Sequence, residues 1–173
     1  VITSGTFWPG LHTPAPCLQR LAILVMLSGI IFLIYNRRKK MNTCNEQGFI
    51  IYQLLIKQGF NPDTAKLITA QAAFETGNFT SPIYLFQNNP WGMKYPKSRD
   101  TTATAEARGH AVYSTLESAV QDYWLYYTYF KYPWTWQSVD DFVTALKEKK
   151  YFESPLDNYI KGVKKYHLLY FYA

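Results

Sequence analysis

The sequence predicts a mainly α domain preceded by a single N-terminal transmembrane helix, and three observations carry that prediction. After Met41, apolar residues recur at helical spacing in segment after segment, and most of these open on a capping residue or a proline. No stretch sustains the alternation of a half-buried strand, apart from a short excursion between Arg99 and Tyr113. Ahead of the helical part stands "LAILVMLSGIIFLIY", Leu21 to Tyr35, fifteen residues without a charge, closed by "NRRKK".

Residues 1–19 carry three prolines, Gly, Ser and Thr and no Lys, Arg, Asp or Glu, the composition of an irregular N-terminal tail. Residues 20–40 read as a membrane anchor with a basic flank. A span needs about 20 apolar residues, roughly 17 at the low end, and snorkelling by Arg20 and Arg37 covers the deficit. A cleaved signal peptide fits less well, because a basic cluster follows the apolar run where a small-residue cleavage site belongs. A buried core helix is the plainer alternative for a segment of this length. The expected lipid contact is through residues 21–35 and the expected location is membrane-anchored and single-pass. Four positive charges after the span against one before it would keep the following domain on the cytoplasmic side. Two settings reconcile that orientation with an activity outside the cytoplasm: a phage particle with its own internal membrane and virion partners, or a shorter soluble product starting at Met41.

The formal net charge is +6, but five of the basic residues flank the apolar segment. Residues 41–173 are nearly balanced, with thirteen Lys and Arg against twelve Asp and Glu, which argues against nucleic acid as a partner. Cys17 and Cys44 lie on opposite sides of the apolar segment, so no disulfide framework is expected. Three scattered histidines make no metal-ligand pattern, and no cofactor is implied.

The remaining residues, 41–173, divide into helices. "EQGFIIYQLLIKQG" places Phe49, Ile50, Gln53, Leu54 and Lys57 at helical spacing and ends at Gly59. "NPDTAKLITAQAAFETG" opens with Asn61 as N-cap and Pro62 at the first helical position, and Gly77 stops it. "TLESAVQDYWLYYTYF" starts near Ser114 or Thr115 as a cap. "SVDDFVTALKEKKYF" and "PLDNYIKGVKKYHLLYF" complete the set.

Within the second of these helices, Ile68, Gln71 and Glu75 fall on one stripe. Glu75 thus stands at a helix end on the face that also carries core residues. Lost hydration and the negative helix terminus both raise the pKa of such a carboxyl, which suits a general acid holding its proton near neutral pH. A solvated helix-end glutamate is the plainer alternative. The following "TGNFTSPIYLFQNNPWGMKYP" reads as a loop of roughly twenty residues, a length that usually has a function. Its aromatic residues (Phe79, Tyr84, Phe86, Trp91, Tyr95) among Asn, Ser and Thr suit a sugar, with rings for stacking and amides for hydroxyl and acetamido groups. Trp91 and Phe86 serve equally well as caps on the core.

"LITAQAAFETGNFTS" followed by "NNPWGMK" resembles the glucosaminidase family of lysozyme-like peptidoglycan hydrolases. That family combines Gln-x-x-x-Glu-[ST]-Gly-x-x-x-Ser with an Asn-Asn-x-[FW]-Gly-[IM]-Lys loop. "AVYSTLESAVQDYWLYY" and "FVTALKEKKYFESPLDNYIKGVKKY" resemble its later segments, so the likeness covers about residues 46–168. It implies a lysozyme-like two-lobed domain that cleaves the β-1,4 bond between N-acetylglucosamine and N-acetylmuramic acid, with peptidoglycan glycan strands as partner. It further implies Glu75 as catalytic acid and Tyr113 as active-site tyrosine. Asn88, Asn89, Trp91, Gly92 and Lys94 fall in the substrate-side loop, with Gln71 and Phe79 as further substrate-binding candidates.

A hydrolase of this kind usually needs a second carboxylate, about 6.5–9.5 Å from the acid if it inverts and closer if it retains. Between the loop and Tyr113 the sequence offers Asp100 and Glu106, of which Glu106 is preferred because it precedes a turn at Gly109. If neither serves, the substrate's 2-acetamido group attacks the anomeric carbon, or the muramic 6-hydroxyl does so in a lytic transglycosylase. The rivals from other classes are a non-catalytic glycan-binding or structural virion membrane protein, and a holin-like membrane protein.

Overall fold

The computed structural model describes residues 46–172, which belong to one compact unit, Asn42–Ala173. They run as α1 (46–58), α2 (Pro62–Glu75), α3 (Pro82–Gln87), β1 (Ala105–Ala107), β2 (His110–Val112), α4 (Leu116–Tyr129), α5 (Val139–Glu148) and α6 (Leu156–Phe171). The domain is mainly helical, as its sequence periodicity requires. The tail and the apolar segment with its basic flank lie outside the described residues. Among the described residues no helix is long and apolar enough to cross a membrane.

Helix α2 sets the architecture. Its middle is built from Ala, Thr, Leu and Ile, and nearly every residue from Thr64 to Ala73 is buried. A helix buried on all sides has to be surrounded, and small side chains let its neighbours come close. The closest is α6. A Cβ added to Gly162 would stand 2.1 Å from the Phe74 ring, so any larger residue there would have to displace that ring. Asn61 caps α2 as its sequence predicts, accepting from the Thr64 N–H at 2.9 Å, with Pro62 in the first turn.

Two regions differ from the sequence expectation. The long loop after Glu75 contains α3, which begins at Ser81 as N-cap with Pro82 next and ends at Asn88 in the left-handed region (φ 50°). Six residues are too few for helical periodicity to register. The excursion between Arg99 and Tyr113 is a true antiparallel hairpin that pairs Glu106 with Ala111. Its two-residue turn, Arg108–Gly109, has φ of 53° and 80°, the left-handed pair that matches the twist of a tight hairpin.

The core is aromatic to an unusual degree. Tyr123, Tyr127, Trp91, Phe60 and Phe142 are buried, and their polar atoms find partners. Trp136 Nε1, for example, donates to the Tyr127 hydroxyl at 2.7 Å, and the Tyr126 and Tyr132 hydroxyls meet at 3.0 Å.

Candidate active site

Glu75 is the last residue of α2, and the backbone beyond it turns sharply. Gly77, Asn78 and Phe79 all have positive φ (56°, 64° and 62°). Two consecutive non-glycine residues in that region store strain, so the turn must be held in place. Thr76 does much of this. Its hydroxyl donates to Ala72 O at 2.6 Å and accepts from the Phe79 N–H at 2.8 Å, and its own carbonyl receives the N–H groups of Thr80 and Ser81. The Tyr170 hydroxyl donates to Asn78 Oδ1 at 2.6 Å, and the Phe79 ring is buried beside Tyr84. The turn fixes where α2 ends and hence where the carboxyl points.

Behind the carboxyl runs an oriented chain of hydrogen bonds. The Tyr123 hydroxyl donates to Gln71 Oε1 at 2.7 Å, and Gln71 Nε2 donates to the Tyr159 oxygen at 3.3 Å. The Tyr159 hydroxyl in turn donates to Glu75 Oε1. The Tyr159 ring is clamped, stacked on Phe152 at 3.8 Å and 8° and met edge-on by Phe74 at 4.9 Å. Burial raises the pKa of Glu75 above the ordinary carboxylate value, and the hydrogen bond from Tyr159 offsets part of that rise. Burial also pushes the Tyr159 hydroxyl upward, so it stays a donor. With Oε1 occupied by that donor, the proton of a neutral Glu75 belongs on Oε2.

Glu75 opens into a cleft of about 350 Å³. Tyr126, Tyr129, Phe130, Tyr151 and Phe152 form aromatic walls, with Tyr95 from the loop after Met93. Tyr129 and Tyr95 are 50% and 38% exposed, which leaves their ring faces available to a ligand.

The residues proposed from sequence fall into distinct places. Glu75, Trp91, Gly92 and Lys94 line this cleft. Gln71 is fully buried and is linked to Glu75 through the Tyr159 hydroxyl. Trp91 departs from the sugar-stacking expectation. It is 1% exposed, packs on Tyr123 with ring centroids 4.4 Å apart, and donates from Nε1 to Ile68 O at 3.1 Å. Phe79 is buried in the turn already described. Asn88 and Asn89 point into protein as well. Asn88 Nδ2 donates to Tyr113 O at 3.0 Å, while Asn89 bridges Met93 O and Ala111 O at 2.9 Å each and accepts the Met93 N–H. These amides brace the loop, a demand that buried backbone imposes wherever regular structure is absent.

Tyr113 is also buried, and its hydroxyl donates to Asp122 Oδ2 at 2.8 Å rather than into the cleft. Asp122 is paired with Arg99 through 3.0 and 2.8 Å contacts and accepts the Thr102 N–H at 3.1 Å. Glu106 lies exposed on β1 and is not among the residues lining the cleft, and neither is Asp100. Among the described residues, Glu75 is the sole acid lining it. Among the described residues no cluster of His, Cys, Asp and Glu has the makings of a metal site.

Sequence reasoning missed Tyr159, Tyr151 and Asp122. Tyr151 donates to Trp91 O at 2.6 Å and ties the loop to the segment after α5. All three residues sit in segments that the sequence marks as helical or adjoining a helix. Their pairings across long separations leave no local signal.

A mainly helical domain with one half-buried carboxyl of raised pKa lining an aromatic cleft is built as a glycosidase is built. Residues 50–168 match the model of the Glucosaminidase family, described as mannosyl-glycoprotein endo-beta-N-acetylglucosaminidase, and the chain belongs to that family. No curated protein matches it. Among solved structures, the chain is similar to one from a type VI secretion system effector–immunity complex of Pseudomonas protegens. That match has a TM-score of 0.52 and 14% identity, covering 73% of this chain and 92% of that one, a likeness of fold. It is also similar to the catalytic domain of the autolysin Auto from Listeria monocytogenes, with a TM-score of 0.45 and 19% identity, covering 75% of this chain and 81% of that one.

Proposed function

We propose that this chain is a peptidoglycan hydrolase that cleaves the β-1,4 bond of the glycan strand as an endo-β-N-acetylglucosaminidase, with Glu75 as general acid. The observation that carries the reading is the Glu75 carboxyl, whose pKa burial raises and which Tyr159 orients in an aromatic cleft. A strand lying along the cleft sets a pyranose face on Tyr129 or Tyr95 and its scissile oxygen near Glu75 Oε2. Proton donation to that oxygen lets the bond break as positive charge develops at the anomeric carbon.

The lining of the cleft bears on the second step. With no other acid there among the described residues, the substrate's own 2-acetamido group is the nearest candidate to attack the anomeric carbon, after which water opens the cyclic intermediate. The same observation favours one alternative, a lytic transglycosylase in which the muramic 6-hydroxyl attacks and leaves an anhydro end. The setting that fits the sequence is local wall opening, by a phage or during wall remodelling, from a membrane-anchored position through residues 21–35.

Digestion of purified peptidoglycan by the full chain and by Glu75→Gln, with product ends read by mass spectrometry, tests this. New reducing N-acetylglucosamine ends that the variant fails to make support the glucosaminidase. Anhydro-muramic ends support the transglycosylase. A folded wild-type chain that binds strands and releases nothing would favour a glycan-binding or virion structural protein.

A further inference from the structure

Four lysines line the cleft that holds Glu75: Lys94 and Lys97 on the loop after Met93, Lys149 and Lys150 after α5. All four are exposed, and none is joined to a carboxylate in an ion pair among the described residues. The nearby cations with structural duties are distinguishable from them. Arg99 is bound to Asp122, and Lys147 donates to the carbonyls of Glu153 and Ser154 at 2.9 and 2.8 Å. Lys149 and Lys150 follow the C-terminus of α5, where a cation is favoured by the helix dipole, but Lys94 and Lys97 have no such reason to be there. Glu148 and Glu153 lie beside the second pair in sequence and neither lines the cleft. Four like charges around a cleft lined by a single acid among the described residues, one whose ionisation burial disfavours, make a positive field that draws anions to the cleft.

Resting on the peptidoglycan reading above, we infer that Lys94, Lys97, Lys149 and Lys150 select the substrate by its carboxylates. These belong to the 3-O-lactyl branch of the muramic residue, as the free lactyl group or as the acidic peptide carried on it. The aromatic walls hold the sugar rings, which neutral and acidic glycans share. The lysines hold the side branch, which only the acidic glycan has. The loop pair and the α5 pair come from distant parts of the sequence, so the cleft presents cations on two separate segments. A strand can therefore be read at more than one branch.

The test is titration of the full-length Glu75→Gln chain with three soluble fragments of equal sugar length. One is a neutral N-acetylglucosamine oligomer, the second an alternating oligomer with free lactyl groups, and the third the same oligomer bearing peptide stems. Both acidic fragments should bind roughly tenfold more tightly than the neutral one, a margin that shrinks as salt rises. Lys149→Gln with Lys150→Gln, and separately Lys94→Gln with Lys97→Gln, should each erode that margin; these exposed positions leave the core intact. A stronger hold on the stem-bearing fragment assigns the contact to the peptide, a stronger hold on the free-lactyl fragment assigns it to the lactyl carboxylate (which the amide bond to the peptide removes), and equal holds mean that the lysines take either carboxylate. Equal affinity for neutral and acidic fragments, or a preference that survives both double substitutions, overturns this inference and leaves the glycosidase reading standing. Failure to bind any of the three would count against both.

Discussion

The Tyr159 hydroxyl donates to Glu75 Oε1 across 84 residues of sequence, joining the first turn of α6 to the end of α2. The bond works in two ways. It fixes the carboxyl in one orientation, and it lowers a pKa that burial has raised. Tyr159→Phe removes both effects and leaves the ring between Phe152 and Phe74. Glu75 should then hold its proton to higher pH, so the alkaline limb of the pH–activity profile moves upward while the maximal rate falls on the order of tenfold to a hundredfold. A profile that keeps its alkaline limb in place would mean that Tyr159 does not act on this proton.

Glu75→Gln should stabilise the fold while removing activity. The folded-state pKa of Glu75 lies above the ordinary value of 4.5. The folded protein therefore binds the proton more tightly than the unfolded one, and the group costs nothing below the ordinary value. Its cost grows as pH rises from that value through the raised one and is complete above it. The amide carries no charge to desolvate and still accepts from Tyr159. Thermal unfolding of both proteins across pH should show little difference in acid and a gain of about 0.5–2 kcal/mol for the variant at neutral pH and above. A gain independent of pH would place its origin elsewhere.

The fold was legible wherever residues announce their own geometry. Asn61–Pro62, Ser138 and Thr115 mark helix starts, and Glu75 could be placed on an inward stripe because its neighbours four and seven residues back are buried. Trp91 and Tyr113 show what could not be read. An aromatic ring in a Gly- and Asn-rich loop has the same sequence whether it stacks on sugar or fills the core. The choice depends on whether a backbone carbonyl or carboxylate waits inside for its polar atom, and here Ile68 O and Asp122 do. The Tyr159–Gln71–Tyr123 chain was hidden for a related reason, since each link joins two elements whose packing the local pattern does not encode.

Gly162→Ala tests the α2–α6 contact as the support of the site. The added methyl meets the Phe74 ring at 2.1 Å, and Phe74 is the residue that abuts Tyr159 edge-on. Yielding by Phe74 should cost about 1–3 kcal/mol and disturb the ring that presents its hydroxyl to Glu75. Loss of activity per folded molecule, beyond any loss of stability, is the expected signature. Destabilisation with full activity would show that Tyr159 is held by Phe152 alone.

Asp122 anchors the segment between the loop and the hairpin, and its removal should be the most damaging of these changes. The carboxyl is fully buried and the Arg99 side chain is 7% exposed. Burial works against ionisation of Asp122, but hydrogen bonds from Arg99, Thr101 and Tyr113 outweigh it and hold the pKa below the ordinary 3.8. Its contribution is therefore present above that value and lost as pH falls through the lower, folded value. Asp122→Asn leaves a buried guanidinium without a counter-charge and should cost roughly 3–5 kcal/mol. Denaturant unfolding would show the loss at neutral pH and a smaller gap between the two proteins in strong acid. Tyr113→Phe removes one donor from the same carboxylate and should cost about 1–3 kcal/mol, with activity per folded molecule unchanged. Activity that collapses in a stably folded Tyr113→Phe would instead place that hydroxyl at the substrate.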